Sequence, residues 1–79
     1  MKIPRDTSGA TLAACLCRHW GYRQVHQSGS HVILDTEIPS HHRIAVPAHA
    51  ALRIGTLNAI LRAVAAHKGV ARDAILATL

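Results

Sequence analysis

The spacing of apolar residues changes twice along this chain. From Ala10 to Trp20 the residues Leu12, Cys15, Leu16 and Trp20 recur three and four apart, the stripe of a helix with one face in a core. Thr7-Ser8 offers an N-cap ahead of it, and Gly21 a C-terminal cap after it. The period then falls to two. Tyr22 to Gln27, with Tyr22 and Val25 apolar, predicts a first strand, and His31 to Asp35 a second, rich in β-branched residues. Gln27 to Ser30 joins them as a tight turn in which Gly29 supplies the backbone freedom. Thr36 to His41 holds Pro39 and Ser40 and predicts a loop. His42 to Val46 predicts a third strand, with Ile44 and Val46 on one face and Arg43 and Ala45 on the other, stopped by Pro47. After a connection from Pro47 to Gly55, Thr56 caps a second helix bearing Leu57, Ile60, Leu61 and Val64. Lys68-Gly69 ends that helix, and Ala71 to Leu79, with Ile75, Leu76 and Leu79, predicts a short last one. Met1 to Thr7 is an extended arm that Pro4 keeps from helix.

The order helix, three strands, helix, short helix predicts an α+β fold: a three-stranded antiparallel sheet with helices packed on one face and the other face open. At 79 residues the chain reads as a single domain, 1–79, near the lower limit for an independent core. It has no Phe, and only Trp20 and Tyr22 are aromatic, so that core is aliphatic. Side chains alternate along a strand. If Val32 and Leu34 face inward, His31 stands on the open face at the edge of the turn. Imidazole exchanges protons near neutral pH, and a strand end fixes its direction, so His31 is a candidate proton-transfer group. The competing reading is a surface histidine beside a turn.

Charge narrows the class of partner. Nine Lys and Arg against four Asp and Glu give +5, with seven His besides, which favours a polyanion or an acidic protein. The cations are scattered, so only the fold could gather them. Cys15 and Cys17, two apart on a helix, are badly placed for a disulfide or a shared metal and read as free thiols in a reducing compartment. The N-terminus lacks the apolar stretch of a signal peptide, and no segment is long and apolar enough to span a membrane. A cytoplasmic location is expected.

Several blocks, in order and at compatible spacing, resemble one family. Ser8-Gly9 opens the first helix. Trp20-Gly21-Tyr22 matches a hydrophobe, a Gly and an aromatic, Gly29-Ser30-His31 a Gly-Ser-His, and Val46-Pro47-Ala48-His49 a Val-Pro-x-His. Gly55-Thr56-Leu57 followed by Ile60-Leu61-Arg62 matches a second-helix signature. Together they resemble the HicA toxins of bacterial toxin–antitoxin pairs. The resemblance implies an αβββα fold like that of double-stranded-RNA-binding domains and an endoribonuclease acting on mRNA. It also implies His31 as the essential histidine and a HicB-type antitoxin as protein partner. Two blocks depart from the family: Val32 follows the Gly-Ser-His where a second His or a large apolar residue is usual, and Ala50-Ala51-Leu52-Arg53 replaces a lysine-rich stretch. Fewer cations there imply weaker phosphate contact.

RNA can be cut without metal because its own 2′-hydroxyl attacks the adjacent phosphate. The cut needs a base, an acid and cations. His31 would move one proton. His26, which precedes the same turn, and His42, on the third strand, are both candidates for the complementary acid. Gly29, Ser30, His49, Arg43 and Arg53 are candidate RNA contacts, and Lys2 and Arg5 generic charge donors. His49 reads equally as a residue that shapes its loop, and Arg62 as solvated or phosphate-facing. His19 and His67 lie near helix C-termini, where a protonated ring suits the helix dipole. His41, His42 and His49 lack acidic or Cys neighbours at ligand spacing, so neither a metal nor another cofactor is expected. The alternative function is a non-catalytic RNA-binding module of the same fold, which has no need of the Gly-Ser-His. A third is a small interaction protein docking an acidic partner on its open sheet.

Overall fold

The computed structural model describes residues 3–4 and 6–79. Lys2 and Arg5, and with them part of the expected N-terminal arm, lie outside the described residues. The chain runs α1 (Gly9–His19), β1 (Arg23–Ser28), β2 (His31–Thr36), β3 (His42–Pro47), α2 (Ile54–Lys68) and α3 (Arg72–Leu76). The three strands form one antiparallel sheet in the order β1-β2-β3. This is the expected α+β architecture.

The apolar stripes become the core. Leu12 and Leu16 from α1, Leu57, Leu61 and Val64 from α2, and Ile75 and Leu76 from α3 close on Val32, Leu34 and Val46 of the sheet. Alternation holds over the first half of β2, where Val32 and Leu34 are buried and His31 is exposed on the other side; Thr36 is buried with the inner set, and Asp35 is buried on the open face. The register pairs Val32 with Val46 and Leu34 with Ile44, so these share the inner face. The opposite face carries His31, Ile33 and Asp35 beside Pro47, Ala45 and Arg43. All six residues of β1 are exposed, so the side chains that the sheet buries under the helices come from β2 and β3.

Several boundaries differ from expectation, each for a local reason. Tyr22 is not a strand residue; it precedes β1 and is buried in the core at 3% exposure. Gly21 lies one residue past the C-cap Trp20 at φ +72°, where the Tyr22 amide bonds back to the Leu16 carbonyl at 3.2 Å. The connection between β1 and β2 shrinks to Gly29-Ser30, with Gly29 at φ +57°. The second helix starts two residues before Thr56: Arg53 is its N-cap and makes no side-chain cap bond. Burial decides this start. Leu52 and Leu57 are both in the core, and the Leu52 amide is held by the Thr7 carbonyl at 2.8 Å. A side-chain cap is worth only about 1 kcal/mol, less than burying a leucine. The last helix is shorter than expected, because Thr78 folds back, bonding the Ile75 carbonyl at 2.6 Å and accepting from Trp20 Nε1 at 2.9 Å.

No helix among the described residues is long and apolar enough to cross a membrane.

Candidate functional site

His31 opens β2 directly after the two-residue turn. Its ladder partners are Ser28 on β1 and Pro47 on β3. The turn is pinned from a third side, where the Ala48 amide donates to the Ser30 carbonyl at 2.6 Å. One residue further, the His49 carbonyl accepts from the Gly9 amide at 2.9 Å. Gly9 is required by this approach. A Cβ there would sit inside contact distance of the Pro47 carbonyl oxygen and 2.9 Å from its carbon. The N-terminus of α1 is therefore pressed against the segment that holds the start of β2.

Because Leu52 is tied to Thr7, α2 also begins at this end of the sheet. Both helices direct their positive dipole ends here, and neither has an acidic residue in its first turn. The fold thus brings together Gly29, Ser30, His31, His49 and Arg53 at one end of the sheet. His26 joins them on the open face: it pairs with Ile33, one step along the ladder from the Ser28–His31 pair on that face.

Arg43 is placed elsewhere. It lies four ladder positions from Pro47, at the far end, where Nε and Nη2 bond both Asp35 carboxylate oxygens at 2.8 and 3.2 Å. Arg43 covers Asp35, which is 7% exposed, and holds its carboxyl below the usual range. Arg23 faces Asp35 from β1. It reaches that face because the ladder slips at Val25, between Gln24 and His26, a bulge that periodicity does not reveal.

His42 also falls at the far end, opposite Thr36 and on the inner face. Its Nδ1 meets the Tyr22 hydroxyl at 2.8 Å, and its ring stacks on His67 at 4.5 Å between centroids. Burial pushes its pKa down, and the positive groups of His67, His41 and Lys68 act the same way. His42 is therefore not beside His31. The sequence carried this signal, since His42 has the parity of Ile44 and Val46. The rest of the cluster was missed. Lys68 caps the Thr36 hydroxyl at 3.0 Å, bonds the Ile38 carbonyl and lies 5.0 Å above the Tyr22 ring. Burial pushes the Tyr22 hydroxyl up to about 12. His67 reaches the Ser40 carbonyl at 2.9 Å, and His41 pairs with Glu37 at 2.7 Å. Among the described residues no group of three or more His, Cys, Asp or Glu could hold a metal ion.

A family model described as the HicA toxin of bacterial toxin–antitoxin systems matches residues 11–65, from α1 through the sheet into α2. The chain belongs to the HicA toxin family. As a HicA-family protein it is a toxin of a toxin–antitoxin pair. No curated protein and no solved structure matches this chain. The matched span of this HicA chain includes the Gly29-Ser30-His31 turn, His49 and Arg53.

Proposed function

We propose that this HicA-family toxin is an endoribonuclease that cuts mRNA through proton transfer at His31, and that a HicB-type antitoxin is its partner. The observation that carries the reading is the position of His31. It is exposed on the open face and held at a strand start by ladder partners on both sides, in a chain whose family is that of a toxin. A strand-borne side chain next to a pinned turn keeps its direction, as a proton-transfer group requires. In the reaction the 2′-hydroxyl loses its proton as its oxygen attacks phosphorus. The bond from phosphorus to the 5′-oxygen breaks, and that oxygen is protonated. The products are a 2′,3′-cyclic phosphate and a 5′-hydroxyl end. The two helix N-termini and Arg53 favour the phosphate's negative charge at this end of the sheet.

The test is incubation of RNA with the purified protein and EDTA. Fragments with cyclic-phosphate and 5′-hydroxyl ends are expected, and His31→Ala is expected to cut about a hundred- to ten-thousand-fold more slowly. RNA binding without cleavage would replace this reading with the non-catalytic RNA-binding module. Co-purification with a HicB-type protein encoded alongside tests the partner.

A further inference from the structure

A cut of this kind needs two proton-transfer groups, one at the attacking oxygen and one at the leaving oxygen, and these lie on opposite sides of the phosphorus. One imidazole on a rigid strand cannot serve both at once. We propose that His26 is the second group, so that His26 and His31 form a proton-transfer pair across β1 and β2. This rests on the ribonuclease reading above and deepens it.

The ladder sets the pair. Ser28 faces His31 and His26 faces Ile33, so His26 and His31 share the open face as diagonal neighbours. Diagonal residues of an antiparallel pair stand about 7–8 Å apart, within reach of ring side chains and wide enough to admit a phosphate between them. Both side chains are exposed. The register between them is regular, with Ser28, Gln27 and His26 pairing in succession, and the irregularity at Val25 begins only beyond His26. Because the connecting turn has two residues, the relation of His26 to His31 is fixed by the hairpin itself.

The other candidates on the sheet are engaged or misplaced, and His49, though at the same end, is not on the ladder that fixes His26 against His31. Asp35 is the one carboxylate on the open face among the described residues, and Arg43 binds both its oxygens. His42 is on the inner face at the far end, against Tyr22 and His67. His49 is in the segment after β3, off the sheet.

In the step, the neutral imidazole of one histidine takes the 2′-hydroxyl proton while the imidazolium of the other gives its proton to the departing 5′-oxygen. The 2′-oxygen bonds to phosphorus as the 5′-oxygen leaves, and exchange with water resets both rings.

The experiment uses the full chain and two substrates: a ribodinucleotide, and a uridine 3′-(4-nitrophenyl phosphate) whose leaving group needs no proton. His26→Ala is expected to slow dinucleotide cleavage at least about a hundredfold and to turn a bell-shaped pH–rate profile into a single limb. On the nitrophenyl substrate, whichever of His26→Ala and His31→Ala removes the acid recovers most of its lost rate. Moving the ring one position, in the double variant His26→Gln with Gln27→His, puts it on the opposite face and does not restore activity. His19→Ala, at the far end of α1, serves as a control with parent activity, and thermal melts establish that each variant is folded. His26→Ala cutting at the parent rate with an unchanged profile overturns the pair. So does loss of rate with no recovery on the nitrophenyl substrate in either variant. If His26→Ala is unaffected while His31→Ala is dead, only the pair fails. If the parent leaves RNA intact, the ribonuclease reading fails first.

Discussion

Gly9→Ala tests how tightly the site is bolted to the first helix. In an ordinary helix this change stabilises, by up to about 1 kcal/mol, because glycine is the poorer helix former. Here the new methyl would lie 2.9 Å from the Pro47 carbonyl carbon and 3.1 Å from Ala48 Cα, against an optimum of about 3.5–4.0 Å between carbons. The obstacle is backbone, so no rotamer relieves it, and α1 must retreat from residues 47–48. Such overpacking costs about 1–3 kcal/mol, and loosening the Gly9–His49 hydrogen bond adds about 1. After the propensity gain, a net loss of about 1–3 kcal/mol is expected, or about 5–20 °C in Tm for a chain this small. Gly55→Ala is the control. It is also in a helix, but a Cβ there meets nothing within 4 Å, so a rise of up to about 1 kcal/mol is expected. Thermal unfolding followed by circular dichroism reads both. A Tm for Gly9→Ala equal to or above the parent's would show that α1 does not brace the 47–49 segment. Below its Tm, folded Gly9→Ala is expected to cleave RNA more slowly, because that same segment holds Ser30.

Arg53→Ser adds a capping hydroxyl to α2 and is expected to raise stability by about 0.5–1 kcal/mol while weakening RNA binding and lowering its salt slope by about 1; unchanged binding and slope would remove Arg53 from the RNA surface. His42 is held neutral by burial, so between its lowered pKa and the ordinary value the unfolded chain binds more protons. Its contribution is complete above about pH 6.5 and is lost as pH falls through the folded value. Tm should therefore fall more steeply on acidification in the parent than in His42→Gln, and parallel curves would contradict this. Tyr22 is the only tyrosine, so a tyrosinate absorbance titration reports it alone. Burial should place its midpoint near 12, and stability should decline as pH rises from about 10, since the folded state keeps the proton longer. A midpoint near 10 would mean that the hydroxyl is open to water.

The periodic elements and the exposed face of β2 were legible because burial follows alternation directly. Val32 and Leu34 turn inward, and that alone turns His31 outward. What was not legible depends on contacts distant in sequence. Nothing local tells that Gly9 meets Pro47, or that Lys68 reaches across to Thr36 and Ile38. The bulge at Val25 has no compositional signal, yet it turns Arg23 toward Asp35. Thr56 was a sound capping residue by local preference, and it lost to the burial of Leu52 and Leu57. That leaves Arg53 where a capping residue would be more stable. A departure from local preference at this end of the fold accords with the phosphate contact proposed for Arg53.

The histidines show the same division. His41, His42 and His67 each bond a protein group, and all three lie where the β2–β3 loop meets the end of α2. His26, His31 and His49 make no side-chain hydrogen bond or ion pair among the described residues, and they lie toward the opposite end of the sheet. An imidazole that already holds a Tyr hydroxyl or a carbonyl has little freedom to exchange protons with a substrate. An unengaged one on a rigid strand is available for that work. The far end therefore fastens the helices to the sheet, with Asp35 and Arg43 neutralising each other on its open face. The turn end keeps the His26 and His31 imidazoles open toward solvent, while the start of α1 is packed against residues 47–49 behind them. The proposed cleavage of RNA requires both properties, a frame that does not move and side chains left unengaged, and this small sheet separates them along the length of its strands.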